Sequence, residues 1–62
     1  MPIRFIAQEG LPVPIVVRRS YQDDDVLVMV DPTARAADLR RLARMLLSDD
    51  ERAQLRRFLA QR

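Results

Sequence analysis

Five consecutive apolar residues, Val26-Leu27-Val28-Met29-Val30, constrain this chain more than any other stretch. Three of the five are β-branched, which favours an extended conformation over a helix. A half-buried strand alternates apolar and polar residues, whereas this run is apolar on both sides, so both faces are expected to be covered. The run is too short to cross a membrane. Asp31-Pro32 closes it, and the sequence changes character there, from β-like before to helix-like after.

Ile3, Phe5 and Ala7 share one side of a first strand, residues 3–7, with Arg4 on the other and Ile6 breaking the alternation. Gln8 to Pro12 reads as a turn around Gly10, the only glycine and so the residue best able to take a positive φ. A second strand is expected over 13–20. Val13, Ile15, Val17 and Arg19 lie on one side of it, and Pro14 marks its start as an edge or a bulge. The polar segment 21–25 then returns the chain into the third strand, 26–30. Joined in sequence order, these strands form a three-stranded antiparallel meander.

Beyond Asp31 or Thr33, either of which can cap a helix, the apolar period becomes helical. Leu39, Leu42, Ala43 and Leu46 recur at i, i+3, i+4 and i+7. Extended in a straight helix, that stripe runs through Asp50, Ala53 and Arg57. The large apolar residues are instead Leu55, Phe58 and Leu59, turned away by roughly 150°. Ser48 and Glu51 have capping-box spacing, and Asp49 and Asp50 suit a helix N-terminus. Two helices are therefore expected, 34–47 and 49–61, with a bend at Ser48; one unbroken helix feeding a dimer is the competing arrangement. The fold class is α+β in the order β-β-β-α-α, in a single small domain over 1–62. The expected core is Val17, Val26, Val28, Val30, Leu39, Leu42, Leu46, Leu55, Phe58 and Leu59.

Sixty-two residues bury only about 60% of their unfolded surface, so a domain this small usually needs help from a disulfide, a metal or a partner. The chain has no cysteine and no histidine. That removes disulfides, thiolate metal sites and the commonest general base. Ser20, Thr33, Ser48 and Tyr21 are the hydroxyl groups, and neither a histidine nor a lysine is present to activate one. No glycine-rich phosphate loop occurs. The expectation is a protein that is not an enzyme and uses no cofactor, metal or small-molecule substrate. Asp23, Asp24 and Asp25 splay around a turn and read as a solvated hairpin tip rather than a cation site.

Self-association is what remains. The helices can cover one sheet face, leaving apolar residues on the other, and Val16, Leu27 and Met29 are the candidate partner interface for a homodimer or another protein. All eleven basic residues are arginine, through codon bias or because forked contacts to phosphate or carboxylate are needed. Residues 1–32 hold three Arg against five acids and residues 33–62 eight against four, so the helical half carries the positive charge. Arg40, Arg41, Arg44, Arg56 and Arg57, with Arg52 beside them, are the candidate contacts for nucleic acid. Two helices with a tight bend resemble a helix-turn-helix in outline, but acids stand where a recognition helix meets base edges. The preferred expectation is a non-catalytic interaction or regulatory module, and the alternative a small nucleic-acid-binding regulator. Met1 to Phe5 lacks the long apolar segment of a signal peptide, so the cytoplasm is the expected compartment.

Overall fold

A computed structural model describes residues 3–61; Met1 and Pro2, part of the N-terminal stretch read above, lie outside the described residues. Three strands, β1 (Ile3–Ala7), β2 (Ile15–Arg19) and β3 (Val26–Val30), precede two helices, α1 (Ala36–Leu46) and α2 (Asp49–Ala60).

The sheet corrects the expected meander. Its order is β1-β3-β2, with β1 parallel to β3 and β2 antiparallel to β3. The middle position goes to the most apolar strand, because a central strand has neighbours on both sides to cover it. β2 is an edge strand, as suits its two C-terminal arginines and the proline before it. It is also shorter than expected: Val13, Pro14 and Ser20 fall outside it.

This order requires residues 8–14 to bridge the gap that β3 fills. Gln8 N–H donates to the Val30 carbonyl (2.9 Å) and Asp31 N–H to the Pro14 carbonyl (2.9 Å), so the bridge is tied to the end of β3 from both sides. Gly10 takes the positive φ, 79°. Asp31 is buried beneath the bridge. Its carboxylate accepts from the Thr33 hydroxyl (2.6 Å) and the Thr33 amide (2.9 Å). These bonds, helped by the Gly10 and Leu11 amides, hold its pKa below the usual carboxylate value. Asp31 therefore locks a turn and does not cap a helix, and neither does Thr33. α1 starts later than residue 34, after Arg35, with no side-chain cap.

Val26, Val28 and Val30 face the helices and are buried, with Ile15 beside them. Leu39, Ala43, Leu47 and Leu55 complete the core from above. α1 packs against β2 and α2 against β1, where Phe5 and Phe58 stack with ring centroids 5.6 Å apart. Val17, Leu42, Phe58 and Leu59 are half-buried at the margin. Leu46 does not belong to the core: it is 41% exposed. α1 ends at Leu46, and Leu47 turns inward in extended conformation to take the place the helical stripe had assigned to its neighbour.

The bend between the helices is held by charge. Ser48 Oγ accepts from Glu51 N–H (3.3 Å) and Glu51 Oε1 from Ser48 N–H (2.9 Å), a complete capping box. Arg19 Nη2 donates to the Leu46 carbonyl (3.2 Å) and Arg52 Nη1 to the Leu47 carbonyl (3.0 Å). Cations thus sit at the negative end of α1 and acids at the positive end of α2.

Candidate functional site

Side chains alternate across a strand, so the register determines what each sheet face presents. On the face away from the helices, Met29 lies between Ile6 and Val16, and Leu27 lies between Arg4 and Arg18. Val16, Leu27 and Met29, the expected partner interface, are thereby brought together and are each half-buried. Ile6, 41% exposed, joins them. Sequence reasoning omitted Ile6, yet its signal was visible as the residue that breaks the alternation of β1. The four form an apolar row and a neighbouring leucine, with guanidinium groups at one end only.

The second feature is a cleft of about 400 Å³ between the two helices. Because α1 sits over β2 and α2 over β1, the helices leave a furrow between them above β3. Ala36, Leu39 and Ala43 line it from α1, and Leu55 and Leu59 from α2. Arg40 and Arg44 stand along one wall, Arg52 and Arg56 along the other, and no carboxylate lines it. Each pair is one helical turn apart, at i and i+4.

The five arginines singled out for nucleic acid thus do not form one surface. Arg40, Arg44 and Arg56 share the cleft. Arg41 is held by Asp38 at 2.7 Å on exposed surface. Arg57 lies beside Gln54, Phe58 and Gln61 in a separate depression against Phe5. Arg52, in the cleft, is paired to Asp49. Among the described residues, Arg40, Arg44 and Arg56 have no acidic partner within salt-bridge distance.

Glu51, buried in the bend, has its pKa lowered chiefly by the bonds from Arg19, then by the Ser48 amide. Asp23, Asp24 and Asp25 form the β2–β3 turn, with Asp24 at φ 54°. Among the described residues no group of three or more acidic, histidine or cysteine side chains is arranged to hold a metal ion, and no helix is long and apolar enough to cross a membrane.

The fold and these surfaces define a small α+β module with an open sheet face and an arginine-walled cleft between its helices. Comparison with known proteins yields no family model, no curated relative and no solved structure that matches the chain.

Proposed function

We propose that this chain is a non-catalytic interaction module of the cytoplasm that works as a homodimer, pairing the open sheet faces of two copies. The observation that carries this reading is the convergence of Ile6, Val16, Leu27 and Met29 on a face that neither helix covers. A 62-residue domain is marginal alone, and burying this face against a second copy adds apolar contact.

Arg4 and Arg18 sit at one end of the face, so stacking two copies with their strands parallel opposes like charges. A two-fold axis across the strands keeps the arginine rows apart. Three strands of five residues present a footprint of only about 14 by 17 Å. A stable interface covers about 800 Å² per partner, so the dimer is expected to be a weak, transient one.

Sedimentation across micromolar concentrations tests this. A species of twice the 7.2 kDa chain mass is expected, and Met29→Glu, a change on the open sheet face, should return it to a monomer that keeps its helical signal in buffer but unfolds at lower urea. A single 7.2 kDa species at every concentration overturns the reading. The alternative, a nucleic-acid-binding regulator, has in the cleft three arginines without an acidic partner among the described residues, rather than five on one surface. It requires a duplex-retardation band that fades steeply with salt.

A further inference from the structure

We propose that the cleft between α1 and α2 receives an acidic amphipathic α-helix of a partner protein. The site lies on the opposite side of the sheet from the dimer face and does not depend on it.

The argument is one of complementary shape and charge. Leu39, Ala43 and Leu55, packed in the core, form the floor of the furrow, and Ala36, the half-buried Leu59 and the arginine stems give it an open apolar surface. Apolar anchors at i, i+3, i+4 and i+7 of an incoming helix match a furrow that runs between two helices. Arg40 and Arg44 repeat at i, i+4 on one wall, and Arg52 and Arg56 repeat likewise on the other. A helix whose apolar stripe is flanked on both sides by Glu or Asp sets carboxylates against Arg40 and Arg44 on one wall and against Arg56 on the other. Arg52 is already fixed to Asp49 and the Leu47 carbonyl, so Arg40, Arg44 and Arg56 are the groups left to recognise the partner.

Other occupants fit less of this. A nucleic-acid backbone meets the arginines but leaves the open surface of Ala36 and Leu59 without a partner, and Phe5, Tyr21 and Phe58, the only aromatic residues, do not line the cleft to stack bases. An alkyl phosphate fills the lining but places one anionic head among charges spread over two walls.

The probe is a fluorescein-labelled synthetic helix with leucines at i, i+3, i+4 and i+7 flanked by glutamates, titrated into the full chain. Saturable binding is expected, with amide shifts concentrated on Ala36, Arg40, Arg44 and Arg56. The double change Arg40→Glu, Arg44→Glu alters exposed side chains only and should weaken binding about tenfold or more. A peptide with arginine in place of the glutamates along one flank should recover affinity for that variant and bind the parent poorly. Absence of binding, indifference to the charge exchange, or shifts confined to the opposite sheet face overturns the proposal. So does displacement of the peptide by generic duplex DNA or by dodecyl phosphate at lower concentration than by unlabelled peptide.

Discussion

Arg19 and Glu51 share a two-pronged ion pair, with Nη1 on Oε2 and Nη2 on Oε1, both at 3.1 Å. It joins the last residue of β2 to the first turn of α2, and Glu51 Oε1 also accepts the Ser48 amide. One carboxylate therefore fixes the helix start, the interhelix bend and the edge of the sheet together. Arg19→Lys keeps the charge but loses the fork and the contact to the Leu46 carbonyl, and should cost about 1 kcal/mol. Glu51→Ala also removes half of the capping box and should cost about 2 kcal/mol. Urea unfolding followed by circular dichroism measures both, and equal costs for the two variants would contradict this ranking.

Acid should weaken the fold through two carboxylates. Glu51 and Asp31 both have folded-state pKa values lowered by hydrogen bonds to their charged forms. The stability they give is present in full above the ordinary carboxylate range, about pH 4–5. It is lost as pH falls through the lowered folded values, where the folded state must take up protons it otherwise excludes. The urea midpoint should fall below that range, and in Glu51→Gln the fall should be shallower.

Two turn residues have positive φ and should respond in opposite directions. Gly10 stands at φ 79°, with nothing within 4 Å of where a Cβ would lie. Gly10→Ala should therefore cost about 1 kcal/mol from backbone strain alone. Asp24, at φ 54°, is the reverse case. Asp24→Gly should stabilise by about 0.5 kcal/mol, and the β-branched Asp24→Val should destabilise by about 1 kcal/mol or more. Thermal melts of the three variants give the comparison.

Val28 and Leu46 separate the core from its outline in the sequence. Val28 is fully buried at the centre of the sheet, so Val28→Ala should cost about 2 kcal/mol. Leu46→Ala, on a side chain that faces solvent, should stay within about 0.5 kcal/mol. Loss of comparable stability at both positions would mean that α1 is rotated from the placement described.

The elements and their order were readable because each carries a local signal: the β-branched run of β3, the helical stripe from Leu39, and Ser48 with Glu51 three residues later. Strand order was not, because sequence adjacency favours a meander and the pairing of β1 with β3 across residues 8–25 leaves no local mark. The clues lay in composition. Pro14, Arg18 and Arg19 are edge features, and Val26–Val30 is the only stretch apolar enough for the centre. Leu46 was placed in the core because a helical stripe does not announce where its helix stops. In the site, alternation places Leu27 and Met29 on one side of β3, but only the register with β2 puts Val16 beside them. The division of the arginines was hidden, because it depends on where Asp38 reaches and how far the helices stand apart.

The order β1-β3-β2 also governs when the sheet can exist. β1 and β2 stand about two strand spacings, roughly 10 Å, apart, so neither can pair with the other in the native arrangement. A chain emerging from the ribosome holds two unsatisfied strand edges until Val26–Val30 has been synthesised. Its arrival closes both ladders, one by a local hairpin and one by a long-range parallel pairing, which is the slower to find. The strand made third is the one for which the first two wait.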